Sequence, residues 1–204
     1  MALGDNYATD AELKTRLGIS DTTEDVAIAA AVSTSSRNIE KYCRRQFNDA
    51  GSASARRFYP ISSTVCLVDD FHTTTGLELT TDLDGDGVYE TVWDLDDAYI
   101  LEPLDGIRDG VPGWPYWKIK AVDFNQFYNS RRPNVQLTAR WGWAEVPTSI
   151  KEATLALAEE VFKLKDSPYG IAGFGEFGFV RVRENPKIVS MLKDYRRRAI
   201  RVAS

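Results

Sequence analysis

The chain has one histidine and two cysteines among its 204 residues, and this scarcity excludes several kinds of site. With His72 alone, a metal site built from several histidines cannot form, and a Ser-His-Asp triad would have to use this residue. The sequence begins without the basic and apolar pattern of a signal peptide, so we expect synthesis in a cytoplasm. Cys43 and Cys66 are therefore expected to be reduced, buried thiols and not a disulfide.

Long apolar runs are also missing. No segment approaches the roughly 18–20 consecutive apolar residues of a membrane-spanning helix, so we expect no membrane partner. The hydrophobic content of 43% and the charged content of 27% are ordinary for a globular protein. A chain of this length corresponds to one large domain or two small ones.

The charge is distributed unevenly along the chain. The formal net charge is −5, but residues 181–204 alone carry +6, which leaves −11 for residues 1–180. An acidic body with a basic tail predicts docking of the tail on an acidic partner; the alternative is a solvated surface helix. The basic residues of this tail are Arg181, Arg183, Lys187, Lys193, Arg196, Arg197, Arg198 and Arg201.

Helical signals lie at both ends of the chain. Thr9-Asp-Ala-Glu12 is a capping box and Gly18 a stop signal, which predicts a short first helix. A second helix is predicted from the Asp21 region to about Arg45. A second capping box predicts a third helix over 149–165, and Pro186 opens a fourth, with arginines near its C-terminal end.

Between residues 50 and 143 the helical periodicity disappears, and β-branched and aromatic residues alternate between turn signals. We predict an α+β fold: about four helices forming a core, with an antiparallel β-domain, a small sandwich or barrel, inserted between the second and third long helices. Seven strands are predicted near residues 57–59, 64–68, 77–81, 89–93, 98–101, 116–124 and 135–141. The predicted parts are thus residues 1–49, 50–143 and 144–204.

All five tryptophans fall within the predicted β-domain. We expect them to form its core, since a small β-domain needs large side chains to bury enough apolar surface. A sugar-binding platform is the alternative, with the stretch around Gly113-Trp-Pro-Tyr-Trp117 as its exposed part. The five tryptophans are Trp93, Trp114, Trp117, Trp141 and Trp143.

The sharpest local chemical signal is Asp82-Leu-Asp-Gly-Asp-Gly-Val-Tyr-Glu90. Asp82, Asp84 and Asp86 occupy positions 1, 3 and 5 of a D-x-D-x-D-G calcium loop. Position 12, which would hold a bidentate glutamate, is Trp93, and the flanking segments resemble strands. Two interpretations stay open: a tight hairpin in which Asp and Gly supply the turn, or a weak calcium site. No other cofactor is expected.

A Gly/Phe stretch follows the third predicted helix. Gly173-Phe-Gly-Glu-Phe-Gly178 matches G-x-G-x-x-G literally, but a dinucleotide fingerprint follows a strand, not a helix. We predict a glycine-rich hinge whose phenylalanines pack against a neighbouring subunit, followed by a basic docking arm. We expect this arm to become ordered only on a partner, so removal of residues 186–204 should leave the protein folded.

Three segments together resemble the head–tail connector (adaptor) family of long-tailed bacteriophages. They are residues 7–18 with the helix ending in Ile39-Glu-Lys-Tyr-Cys-Arg-Arg-Gln-Phe47, residues 140–153 beginning Arg-Trp-Gly-Trp, and residues 170–178 with Val180-Arg-Val. The resemblance implies a non-enzymatic virion protein, assembled in the host cytoplasm, that forms a ring of usually twelve copies beneath the portal. The ring extends the DNA channel and links the capsid to the tail through the next neck protein, a stopper or tail-completion protein.

The resemblance also assigns the C-terminal segment to portal contact, whereas the β-domain departs from the smallest, nearly all-helical members. Genome DNA would pass through the channel without sequence-specific contacts, because no aromatic-interleaved basic stripe is present. The alternatives are a stopper or tail-completion protein, or a calcium-dependent carbohydrate-binding β-module. The residues expected to contact the portal are Phe174, Phe177, Phe179, Arg181, Arg183, Lys187, Lys193, Arg196, Arg197, Arg198 and Arg201.

Overall fold

The computed structural model describes residues 4–128, 132–164 and 185–197. The described residues of Met1–Phe47 and Val146–Ala199 form a compact helical unit, and those of Asn48–Glu145 form a compact β unit. Among the described helices, none combines the length and apolar character needed to cross a membrane. The helices are α1 (Asp10–Leu17), α2 (Asp25–Cys43), α3 (Thr148–Leu164) and α4 (Pro186–Leu192).

The first helix begins and ends at the predicted residues. The Thr9 hydroxyl accepts the backbone N–H of Glu12 at 3.2 Å, and the Glu12 carboxylate accepts the backbone N–H of Thr9 at 2.9 Å. Gly18 ends the helix in the left-handed conformation, with φ 71°, and donates its N–H to the carbonyls of Lys14 and Thr15. Because both signals act within a few residues, the local sequence decides this helix.

Two other predicted helix starts differ from the structure, by about four residues at α2 and by one residue at α3. α2 begins at Asp25, after an irregular segment in which Asp21 accepts the N–H of Thr23 at 2.9 Å. α3 begins at Thr148, and the carbonyl of Pro147 accepts the N–H of the third residue of α3 at 2.9 Å. Ser149 therefore lies inside the first turn of α3 and not at its N-cap.

The helical unit is held together by an apolar cluster between α1, α2 and α3. Leu13, Ile28 and Val32 are fully buried and pack with Leu155 and Phe162 of α3. Burial of each such side chain contributes roughly 1.5–3 kcal/mol, so this cluster dominates the stability of the unit.

The β unit contains two four-stranded antiparallel sheets, with strand orders β1-β8-β4-β5 and β2-β3-β7-β6. Buried side chains from both sheets form one core, so the sheets face each other as a sandwich. The described strands do not close into a barrel, and the barrel alternative is therefore wrong. The strands are β1 (Ser54–Phe58), β2 (Pro60–Ser62), β3 (Val65–Phe71), β4 (Glu78–Thr81), β5 (Thr91–Trp93), β6 (Tyr99–Glu102), β7 (Tyr116–Ala121) and β8 (Val135–Ala139).

The segment after β8 is tied to the start of the β unit by backbone contacts. Gly142 forms a bridge with Asp49 and donates its N–H to the carbonyl of Asp70 at 2.6 Å. The Trp143 indole N–H donates to the Asp70 carboxylate at 3.2 Å. Arg140 pairs with the Asp49 carboxylate, and its hydrogen bonds hold the pKa of that carboxyl below its usual range. The two ends of the β unit therefore meet.

Candidate assembly surfaces

Helix α4 is part of the fold and not a detached arm. Asn185 accepts the N–H groups of Lys187 and Ile188, which caps the helix, and its side-chain amide donates to Glu160 of α3. Ile188 and Leu192 are fully buried, and α4 packs against α3. The expectation that residues 186–204 can be removed without damage is therefore wrong for the described part of this segment.

After α4 the chain returns to the C-terminal end of α2. Tyr195 packs its ring edge-to-face on Phe47, with 5.9 Å between centroids. The Arg196 guanidinium lies 5.2 Å from the Tyr42 ring centroid. Arg197 donates its backbone N–H to the carbonyl of Cys43 at 2.9 Å, which satisfies one of the free carbonyls that every helix leaves at its end.

This return brings two basic pairs together, and we name the resulting group the basic cluster. Cations at this position also interact favourably with the negative end of the α2 dipole. Burial raises the pKa of the Cys43 thiol to about 12, although nearby Arg45 and Arg196 act in the opposite direction. The basic cluster comprises Arg44, Arg45, Arg196 and Arg197.

The structure describes part of the predicted portal-contacting set. Lys187, Lys193 and Arg196 are exposed, and Arg197 is half-buried. The predicted arginines lie beyond α4, which ends at Leu192, and not within its last turn. The others lie outside the described residues, as does the Gly/Phe stretch: Phe174, Phe177, Phe179, Arg181, Arg183, Arg198 and Arg201.

The β unit exposes apolar side chains on an ordered loop between β6 and β7. Arg108 and Val111 exchange both backbone hydrogen bonds, at 3.0 and 2.9 Å, across a turn made by Asp109 and Gly110. Both turn residues have positive φ, as two-residue hairpins require. Exposed apolar side chains on one loop are a candidate contact surface. We name this group the apolar tip: Leu104, Ile107 and Val111, each about half exposed or more.

The tryptophans divide into two groups. Trp93, Trp141 and Trp143 are buried, which confirms the predicted core role for these three residues. Trp114 and Trp117 are half-buried, with the Arg108 guanidinium 4.5 Å from the Trp114 centroid and 5.8 Å from the Trp117 centroid. The Arg108 guanidinium therefore covers one face of these two rings.

The acidic turn, residues 82–90, connects β4 to β5. The last pair between these two strands is Thr81 with Thr91. It is a longer loop than the tight hairpin that one interpretation of the sequence proposed. One oxygen of the buried Asp82 carboxylate accepts the N–H of Gly85 at 2.6 Å, and the other accepts that of Gly87 at 2.9 Å. The turn is thus organised around Asp82.

No family model matches the chain, and no curated protein matches it in sequence. Solved structures do share its fold. A chain in the neck of the empty GTA particle, computed with C6 symmetry, has a TM-score of 0.54 at 14% identity, over 94% of this chain and 90% of that chain. A chain in the neck of the native GTA particle, computed with C12 symmetry, has a TM-score of 0.53 at 15% identity, over 93% and 88%.

A chain in the virion of the native gene transfer agent (GTA) particle matches with a TM-score of 0.49 at 18% identity, over 94% of this chain and 90% of that chain. The two matches with a TM-score above 0.5 define a fold, at identities this low: the α+β fold of chains in the neck of GTA particles. This shared fold agrees with the resemblance that the sequence indicated.

Proposed function

We propose that the chain is a structural head–tail connector, or adaptor, of a phage-like particle. The observation that carries this proposal is the fold shared with chains of the GTA neck over about nine-tenths of both chains. Those necks were computed with C12 and C6 symmetry, which supports a ring of identical copies; we propose twelve. The ring extends the DNA channel beneath the portal and links capsid to tail, a structural and not a catalytic role.

The proposed architecture is a helical adaptor frame, residues 1–49 and 144–204, that carries the β part, residues 50–143, as an insertion. Two observations support it. One apolar cluster joins helices from both ends of the chain. The two ends of the β unit are adjacent, because Asp49 and Gly142 form a bridge and Trp143 donates to the Asn48 carbonyl at 3.3 Å. An insertion with adjacent ends can be accommodated without separating the helices that flank it.

We assign portal contact to the basic cluster, together with the basic and aromatic residues predicted from the sequence. Arg44 and Arg196 are exposed members of this cluster, and they come from segments about 150 residues apart. Clustered cations accelerate association with an acidic surface and specify its orientation more than they raise affinity. The downstream face of the ring receives a stopper or tail-completion protein, and the genome passes through the channel non-specifically.

The test is assembly of the full chain on its portal. Mixed with portal rings, the wild-type protein should form a ring of matching symmetry, visible by cryo-electron microscopy. Arg44→Glu and Arg196→Glu should each slow association, whereas Lys120→Glu, an exposed charge reversal on β7, should not. Association of the wild type should slow as salt rises, because the Debye length falls from about 10 Å at 0.1 M to about 3 Å at 1 M.

The result that contradicts an adaptor is a chain that ignores portals but binds a preformed ring of another neck protein. That outcome identifies a stopper or tail-completion protein, since the likeness to neck chains fits either position. Equal association rates for all three charge reversals would exclude the basic cluster as the portal-contacting surface.

A further inference from the structure

The acidic turn brings three carboxylates to one place. Oxygen atoms of Asp82, Asp84 and Asp86 all lie within 4.8 Å of one another. Asp82 is buried, while Asp84 and Asp86 are exposed. Like charges this close repel one another, so an arrangement of this kind is stabilised by a cation placed between them.

A buried amide side chain outside the turn belongs to the residue paired with Asp82. Thr81 pairs with Val135, so the next residues, Asp82 and Asn134, are directly opposite each other. Asp82 donates its backbone N–H to the carbonyl of Asn134 at 3.0 Å. Directly opposed residues of an antiparallel pair place their side chains on the same face, with Cβ atoms about 4.5–5.5 Å apart. The Asn134 and Asp82 side chains therefore start from neighbouring positions on the same face.

The Asn134 amide has a defined orientation and one unused atom. Its Nδ2 donates to the carbonyl of Tyr128 at 2.5 Å, which identifies the other end of the amide as the oxygen. Within the described residues that oxygen, Oδ1, is buried and has no hydrogen-bond partner, and Asn134 as a whole is 2% exposed. A buried polar atom without a partner destabilises the fold unless a ligand satisfies it.

We propose that the turn binds a calcium ion through carboxylate oxygens of Asp82, Asp84 and Asp86 and through Oδ1 of Asn134. All four ligands are oxygens, which suits a hard cation, and the spacing of the three aspartates is that of positions 1, 3 and 5 of a calcium loop. Position 12 of the loop is Trp93, which offers no oxygen ligand. Asn134, immediately before β8, supplies an oxygen ligand in its place. The site is independent of the proposed role in the neck.

The experiment titrates the full, metal-free chain with calcium chloride and measures both heat and melting temperature. Calcium should bind with one-to-one stoichiometry, and at ten times its dissociation constant it should raise the melting temperature by roughly 3–5 °C. Magnesium chloride at the same ionic strength should produce a smaller rise, because magnesium demands a stricter octahedral geometry and gives up its water reluctantly.

Variants separate binding from general charge effects. Asp84→Asn and Asp86→Asn should each lower calcium affinity at least tenfold, and neither should lower the melting temperature without calcium, since each removes one of the converging charges. Asp96→Asn, a matched exposed aspartate elsewhere in the β unit, should behave as wild type. The proposal is overturned if the wild type shows neither binding heat nor a melting shift at 10 mM calcium. It is equally overturned if both turn variants keep the wild-type affinity.

Discussion

Replacement of Gly142 by alanine tests whether the junction at the ends of the β unit is fixed by the backbone. A Cβ added at Gly142 would lie 1.7 Å from the Asn48 carbonyl oxygen and 2.8 Å from its carbon. Non-bonded carbon atoms prefer separations of about 3.5–4.0 Å, so the Asn48 peptide would have to withdraw by more than an ångström. Gly142 also has φ 97°, a conformation that alanine adopts only with strain.

The expected loss of stability follows from the contacts that this withdrawal breaks. The backbone hydrogen bonds from Trp143 to Asn48 and from Ala50 to Trp141 cross the junction. Each contributes about 0.5–1.5 kcal/mol, and the forced φ adds about 1–3 kcal/mol. We therefore expect Gly142→Ala to lower the free energy of unfolding of the β unit by about 4 kcal/mol or more, which is exceptional for one methyl group.

The assay is urea unfolding followed by tryptophan fluorescence, which reports on the β unit because all five tryptophans lie there. Gly51→Ala is the matched control: Gly51 also has positive φ, 77°, but nothing lies within 4 Å of an added Cβ. This control should lose only the strain of about 1–3 kcal/mol. If the two variants unfold at the same urea concentration, steric closure at Gly142 is not what fixes the junction.

Three further predictions concern packing, pH and assembly. Leu192→Ala should lower the free energy of unfolding of the helical unit by about 2–5 kcal/mol, measured by urea unfolding in far-ultraviolet circular dichroism. Met191→Ala, on the exposed side of α4, should lower it by under about 1 kcal/mol, and equal losses would refute the packing of α4. Burial raises the pKa of the Cys66 thiol to about 12, so the contribution of this thiol to stability is complete below about pH 8.5 and falls as pH rises towards 12. Cys66→Val should flatten that decline in urea unfolding measured at several pH values, and an unchanged slope would contradict this assignment. Ile107→Asp in the apolar tip should reduce ring formation in electron micrographs while leaving the melting temperature within about 2 °C, and undiminished rings would exclude the apolar tip as a contact.

The elements of this chain that its sequence predicts best are those with local signals. The capping box at Thr9 and the stop at Gly18 define α1, because a few adjacent hydrogen bonds decide where it begins and ends. The alternation of β-branched and aromatic residues located seven of the eight described strands. It missed β2, because that strand begins with Pro60, a residue that strands disfavour. Helix starts without a side-chain cap, as at α2, were misplaced because several nearby polar residues give the same signal.

The candidate surfaces were harder to predict because they join distant segments. Arg44 and Arg196 are each visible as parts of basic pairs, yet only the return of the chain to the end of α2 places them together. Composition indicated a free basic arm, since glycine and charge are typical of exposed segments. It could not show that Ile188 and Leu192 fill a site against α3.

The sequence by itself determined the fold class, the position of the β segment between helices and the loop that carries Asp82, Asp84 and Asp86. These follow from periodicity, turn residues and spacing, which depend on neighbours along the chain. Only the tertiary structure decided that the two sheets share one core, that Asn134 stands beside Asp82 and that α4 belongs to the helical unit. Such contacts depend on which distant surfaces can bury each other, and side-chain shape and strand register settle that question only in the folded chain.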